Sequence, residues 1–199
     1  MRPKEKNYTP KQGDALIVID IQNDFLPGGA LAVEEGFDVI PVLNQYIQLF
    51  KTKHLPIVAS RDWHPKDHCS FSAQGGPWPP HCVENTEGAK FAKALHLPAV
   101  FIVVSKAMSP EREAYSDLEG TDLDQLLRSI GVGRVWVGGL ATDYCVLHSV
   151  IDFLKAGYDV LLLEDGIRAV NVHPKDGERA VHTMVSQGAV PITLREVEG

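Results

Sequence analysis

Cysteine is scarce in this chain, with three residues in 199. A small odd number cannot build a disulfide framework and points to free thiols in a reducing compartment, so a cytoplasmic protein is expected. Surplus positive charge is also missing: 19 Lys and Arg stand against 26 Asp and Glu, a formal net charge of -7. Sequence-independent nucleic-acid binding needs surplus cations to displace counterions, so no nucleic-acid partner is expected. No stretch approaches the roughly 20 apolar residues of a spanning helix, and no membrane association is expected. Residues 1–14 are polar and charged and lack the apolar segment of a secretory signal. Internal repeats and low-complexity tracts are absent. What is present is ordinary globular composition, 44% hydrophobic and 23% charged, in a length suited to one domain over residues 1–199.

Six short apolar runs recur along the chain, at residues 15–19, 57–59, 100–104, 135–137, 160–163 and, more weakly, 190–194. They are rich in β-branched residues and do not alternate with polar ones, which suits strands buried on both faces of a parallel sheet. Helical spacing fills the intervals. Ile40, Leu43, Ile47 and Phe50 mark one stripe, and Leu123, Leu126, Leu127 and Ile130 a second. Val146, Val150 and Leu154 mark a third, and Ala180, Val181 and Met184 a fourth. Strand alternating with helix predicts an α/β fold, a three-layer α/β/α sandwich around a mainly parallel sheet of about six strands. Residues 62–88, rich in Pro, Gly, His and Cys, break the rhythm and form an excursion of the length that usually carries function.

Ligands of open parallel sheets bind beyond the carboxyl ends of the strands. Asp20 follows the first run, Asp62 and His64 the second, Lys106 the third, and Gly138-Gly139 with Cys145 the fourth. Reactive side chains therefore gather at four strand ends on one edge of the expected sheet. Cys145 is the candidate nucleophile. With Thr142 or Asp143 as helix N-cap it falls in the first helical turn, where free N–H groups favour a thiolate and can bind an oxyanion. The bland alternative is a small buried thiol packed on the sheet. Asp20 is a candidate general base if burial raises its pKa toward neutrality, rather than a mere turn residue. Lys106 would favour the thiolate by charge and orient Asp20, rather than being a solvated strand-end lysine.

The excursion offers a second chemistry. Asp62 and His64, spaced i and i+2, point the same way from an extended segment. One carboxylate and two imidazoles suit Zn²⁺ or Fe²⁺ with open coordination positions. Spacing alone does not choose between His68 and His81 as the third donor, and a structural site using Cys69 and Cys82 is a further option. His148, three residues after Cys145, would make a Cys–His dyad only if both side chains faced the pocket. His173, before Pro174, reads as solvated.

Four segments are specific when taken together: Asp20-Ile21-Gln22-Asn23-Asp24-Phe25, Arg61-Asp62-Trp63-His64-Pro65, Trp78-Pro79-Pro80-His81-Cys82-Val83, and Gly139-Leu140-Ala141-Thr142-Asp143-Tyr144-Cys145-Val146. They resemble the nicotinamidase/pyrazinamidase branch of the isochorismatase-like cysteine hydrolases, over about residues 15–189. The resemblance implies that Cys145 is the nucleophile, Asp20 the base and Lys106 the third member. It implies one divalent metal ion, zinc first with iron or manganese as alternatives, held by Asp62, His64 and His81, with His68 near the site. It further implies an oxyanion hole from the Ala141 and Cys145 amides beside a cis Leu140–Ala141 peptide. Phe25 and Trp78 would sandwich a pyridine ring, with Tyr144 adding to the wall, and the substrate would be nicotinamide. Competing readings are another small-amide hydrolase of the family, a metal-hydroxide hydrolase in which Cys145 is structural, and a binding module without turnover. Oligomeric state is left open, a homo-oligomer included.

Overall fold

The computed structural model describes residues 8–197. Half of the polar stretch expected to carry no secretory signal, residues 1–7, lies outside the described residues. Six strands form one sheet: β1 (Asp14–Ile19), β2 (Ile57–Asp62), β3 (Ile102–Lys106), β4 (Arg134–Leu140), β5 (Asp159–Arg168) and β6 (Val190–Ile192). The helices are α1 (Val39–Thr52), α2 (Leu123–Ser129), α3 (Leu147–Lys155) and α4 (Asp176–Ser186). Strand order is β3-β2-β1-β4-β5-β6 and every pairing is parallel. Among the described residues, no helix is long and apolar enough to cross a membrane.

The period-2 geometry of a strand sorts the core into two halves. Leu16 and Val18 of β1 join Trp136, Leu161 and Leu163 in a cluster covered by the Ile40, Leu43, Ile47 and Phe50 stripe of α1. Ala15, Ile17 and Ile19 point the other way, into a cluster with Leu127 of α2, Val150 and Phe153 of α3 and Met184 of α4. Three layers result. All four α1 stripe residues are buried, each contributing on the order of 1.5–3 kcal/mol by leaving water. The helix ends when His54 turns left-handed at φ 54°. His54 and Leu55 N–H then return to the Lys51 and Phe50 carbonyls, which caps orphan acceptors without a glycine.

Two sequence expectations need correction. The third run was expected to be buried on both faces, but β3 is an edge strand: Val100 precedes it and is 89% exposed, and Val103 is exposed. The α2 stripe is also narrower than its spacing implies, because Leu123 and Leu127 are buried while Leu126 and Ile130 are exposed. A short helix at one side of the sheet has only one row of neighbours to meet.

The excursion runs farther than composition indicates. From residue 63 to residue 101 the chain has a single 3-10 turn, Ser72–Gln74, and no α-helix. It is held by isolated bridges, His64 to Val83, Phe71 to Trp78 and Gln22 to Phe91.

The topology itself creates a crevice. The chain winds outward from β1 through β2 to β3, then restarts at β4 on the other side of β1. At this switch point the connections after β1 and β4 leave toward opposite layers, and a cleft opens beyond their carboxyl ends. The two strands approach closely there. Gly139 has φ +136°, and a Cβ on it would stand 2.1 Å from the Ile19 carbonyl oxygen.

Candidate active site and metal centre

Asp20 is the first residue beyond β1. It adopts the left-handed region (φ 51°), which Asp tolerates better than most side chains. Its N–H donates to the Ser60 carbonyl at 3.2 Å, and the Ser60 hydroxyl donates to Asp20 Oδ1 at 3.1 Å. Lys106, the last residue of β3, crosses beneath β2 to place Nζ 2.6 Å from Asp20 Oδ2 and 3.4 Å from Cys145 Sγ. The same ammonium donates to Asp62 Oδ1. Reactive atoms of Asp20, Asp62 and Cys145 lie within 4.8 Å of one another.

All these groups are buried, and burial sets their protonation. Desolvation pushes Asp20 up, Lys106 offsets part of this, and the carboxyl ends near a pKa of about 6. Burial also pushes Asp62 up, but Lys106 and the neighbouring imidazoles outweigh it and hold the carboxyl below its ordinary value. For Lys106, burial favours the neutral amine, yet Asp20 and Asp62 prevail and raise its pKa well above the usual lysine value. Burial drives the Cys145 thiol well above its ordinary value, and Lys106 only partly counters this. Lys106 thus acts toward the thiolate, as expected, but burial outweighs it. The sulfur holds its proton, and Asp20 is the nearby group able to remove it.

The turn carrying Cys145 differs from a capped helix start. Leu140–Ala141 is a cis peptide. Residues Thr142–Val146 form a π turn, with the N–H groups of Tyr144 and Val146 both donating to the Ala141 carbonyl. Neither Thr142 nor Asp143 caps this turn with its side chain. The Asp143 carboxylate instead accepts the N–H groups of Val170 and Asn171 at 2.9 and 2.8 Å, tying the loop after β5 to the site.

Beside this cluster, donor atoms of Asp62, His64 and His81 also lie within 4.8 Å of one another. Both imidazoles are oriented by backbone. His64 Nδ1 lies 3.0 Å from the His81 carbonyl, and His81 Nδ1 lies 2.8 Å from the Pro79 carbonyl. Each Nδ1 then carries the proton, and each Nε2 keeps its lone pair, the arrangement a metal-ligating histidine needs. Burial also lowers the His64 pKa to about 4, which keeps that ring neutral. The choice left open by spacing falls to His81. The His68 ring lies 4.3 Å from that of His64, centroid to centroid, with Nδ1 2.8 Å from Ser70 Oγ and Nε2 3.1 Å from the Arg112 carbonyl. His68 joins His64 and Glu113 in a further group of donors. Among the described residues, no three-donor group contains Cys69 or Cys82, and all three cysteines are free.

A narrow cavity of about 30 Å³ lies over these groups. Phe25, Trp78, Tyr144, His81, Asp62, Ala141 and Cys145 line it, together with Leu31, Tyr115 and Val170. Trp78 meets Tyr144 edge-on at 5.1 Å, and its indole N–H donates to the Tyr115 hydroxyl at 3.0 Å. His148 stacks against Tyr115 at 5.3 Å and does not line this cavity, so no Cys–His dyad forms. His173 is exposed, as expected.

Sequence reasoning missed four residues. Gln22 is buried and clasps Asp62 from both sides, Nε2 to the Asp62 carbonyl and Oε1 from the Asp62 N–H, each at 2.8 Å. Its position inside the first motif was the available signal. Ser60, in the strand that ends at Asp62, holds Asp20. Tyr115 and Asp117 come from the irregular segment after β3, where no periodicity marks them. Arg61, within the second motif, lies over the Trp63 ring at 3.6 Å and donates to Ser105, so it braces the strand edge.

The isochorismatase-domain model matches residues 14–196. The chain is 39% identical to nicotinamidase of Escherichia coli (strain K12), covering 92% of this chain and 96% of that protein. The crystal structure of the Pyrococcus horikoshii pyrazinamidase in complex with zinc is similar at TM-score 0.88 and 50% identity, covering 92% and 99% of the two chains. A structure from L. infantum in complex with nicotinate is similar at TM-score 0.89 and 35% identity, covering 96% and 98%.

Proposed function

The chain belongs to the isochorismatase family, and on that premise we propose that it is a nicotinamidase, an amidohydrolase converting nicotinamide to nicotinate and ammonia and accepting pyrazinamide. The observation that carries the reading is the convergence of Asp20, Lys106 and Cys145 under a cavity walled by aromatic rings and bordered by a carboxylate and two imidazoles.

Phe25 and Trp78 hold the pyridine ring between them, and Tyr144 closes the wall. Asp62, His64 and His81 fit a divalent cation, because the donor set is one carboxylate and two imidazoles whose Nδ1 atoms face backbone carbonyls and whose Nε2 atoms are left for a ligand. A cation bound there supplies a Lewis-acid contact for the ring nitrogen; zinc suits these donors, as do iron and manganese.

Asp20 takes the Cys145 proton as sulfur attacks the amide carbon. The Ala141 and Cys145 N–H groups receive the oxyanion. Lys106 holds the Asp20 carboxylate and balances its charge. Asp20 then gives the proton to the leaving nitrogen, so that ammonia departs and a thioester remains. Water attacks the thioester carbon and passes a proton to Asp20, which returns it to sulfur as nicotinate leaves. Ammonia release measured against nicotinamide, pyrazinamide and a simple aliphatic amide tests this reading. Turnover of the two heteroaromatic amides is expected, and equal or preferential turnover of the aliphatic amide would overturn it.

A further inference from the structure

Asp24 does not line the catalytic cavity, yet both its backbone and its side chain are fixed. Its N–H donates to the Gly88 carbonyl at 3.0 Å, and its carbonyl accepts the Leu31 N–H at 2.9 Å. Its carboxylate is aimed: Oδ2 accepts the Cys82 N–H at 2.7 Å, and Oδ1 accepts the Ala30 N–H at 3.3 Å. Gly88 makes room for it, since a Cβ there would stand 2.1 Å from Oδ2. The Cys82 N–H belongs to the same peptide group as the His81 carbonyl, and that carbonyl faces His64 Nδ1 at 3.0 Å. The peptide is trans, so its N–H and C=O point in opposite directions. One line of hydrogen bonds therefore runs from the Asp24 carboxylate through a single peptide to the His64 ring. The Cys82 carbonyl completes the junction by accepting the His64 N–H at 3.0 Å.

This peptide needs holding. Cys82 lies in the left-handed region, at φ 46°, which a residue with a Cβ disfavours. Turning the 81–82 peptide over would relieve Cys82, and it would carry the His81 carbonyl away from His64. A carboxylate bonded to the N–H opposes that turn. It also polarises the peptide, so that the carbonyl oxygen becomes a better acceptor. A better acceptor keeps the His64 proton on Nδ1 and leaves Nε2 open for a metal. We propose that Asp24 is a positioning residue of the cation site: by gripping the Cys82 N–H it holds the His81–Cys82 peptide, and through it sets the tautomer of His64 and the placement of His81. Asp24 belongs to none of the donor groups there and acts only through this peptide. The inference rests on Asp62, His64 and His81 holding a cation, but not on the identity of the substrate.

The test is the zinc affinity of the full chain, measured by competition with a chromophoric chelator for wild type, Asp24→Ala, Asp24→Asn and Gly88→Ala. Two further readouts accompany it: ammonia release from nicotinamide, and alkylation of Cys145 by iodoacetamide in the metal-free proteins, followed on its peptide by mass spectrometry. Asp24→Ala is expected to weaken zinc binding about 10–100-fold, the usual cost of losing a group that orients a ligating histidine. Asp24→Asn keeps an acceptor for the Cys82 N–H and should recover most of that loss. Gly88→Ala keeps Asp24 but pushes its carboxylate off Cys82, and should weaken zinc binding as Asp24→Ala does. Alkylation of metal-free Cys145 should match wild type throughout, because the thiol and its neighbours are untouched. If Asp24→Ala does not fold, Gly88→Ala carries the test. Wild-type zinc affinity in folded Asp24→Ala or Gly88→Ala, an Asn variant as weak as the Ala variant, or a change in alkylation that tracks the loss of zinc and so marks a general loosening would each overturn the proposal. Wild-type protein without zinc affinity would end the cation reading and this proposal with it. Wild-type protein inert toward nicotinamide but showing these affinity losses would uphold the role of Asp24 while ending the nicotinamidase reading.

Discussion

Lys106 Nζ lies 3.4 Å from Cys145 Sγ, and the thiol nevertheless keeps its proton. The ammonium is already engaged by two buried carboxylates, so little of its field is left to offset the desolvation of a sulfur anion. The resting site is an ion pair beside a neutral thiol, and reaction begins with proton transfer to Asp20.

That order makes the sulfur indispensable and chemically trappable. Cys145→Ala should reduce ammonia release to background while metal content, read by elemental analysis, stays unchanged. Stoichiometric alkylation of Cys145 should inactivate the enzyme. Full activity after alkylation would favour a metal-activated water as nucleophile instead.

A general base works only when deprotonated, and Asp20 titrates near a pKa of about 6. The value of kcat/KM should therefore rise with pH, pass its midpoint near 6 and level off toward neutrality. A pH–rate profile checks this. A rate that falls as pH rises from 5 to 7 would contradict a carboxylate base.

Removing the cation-binding groups should separate binding from chemistry. Asp62→Ala is expected to lose bound metal and to raise KM for nicotinamide sharply, because anchoring the ring sets the attack geometry, and positioning is worth up to about 7–11 kcal/mol. Dialysis against a chelator should have the same effect and be reversed by adding zinc. Metal-free protein with unchanged kinetics would remove the metal from the reaction.

Lys106→Met should destabilise the fold as well as slow the reaction. It leaves Asp20 and Asp62 facing each other without their shared cation, and breaking a buried pair from one side costs about 3–5 kcal/mol. Urea denaturation should show a lower midpoint with an unchanged slope.

Asp117 makes a stability prediction with a definite sign. Its pKa is 3.8 when unperturbed and about 8 in the fold. The folded state therefore binds more protons between these values, and stability falls as pH rises through that window. The benefit is fully present below about pH 4 and is lost by about pH 8. Asp117→Asn should raise Tm more at pH 8 than at pH 4, as followed by thermal denaturation at both.

Much of the site was legible because topology turns sequence order into spatial order. Asp20, Asp62 and Lys106 each terminate or follow an apolar run, and parallel strands bring such residues to one edge whatever their separation along the chain. His81 was identified only through its motif. A residue deep in an irregular segment has no strand to place it, and backbone carbonyls rather than spacing orient its ring. Asp117 and Tyr115 were not legible at all, since the segment that carries them has no period.

The amino-acid sequence by itself determined the elements and the chemical inventory: six apolar runs, four amphipathic intervals, a thiol, a lysine, two carboxylates and one imidazole after those runs, and further imidazoles in the excursion. Local patterning encodes this, because side-chain period and β-branching act within a few residues. Only the tertiary structure decided which groups are charged. The order β3-β2-β1-β4 buries Lys106 among Asp20, Asp62 and Asp117, and the protonation of each depends on desolvation and on neighbours contributed by other strands.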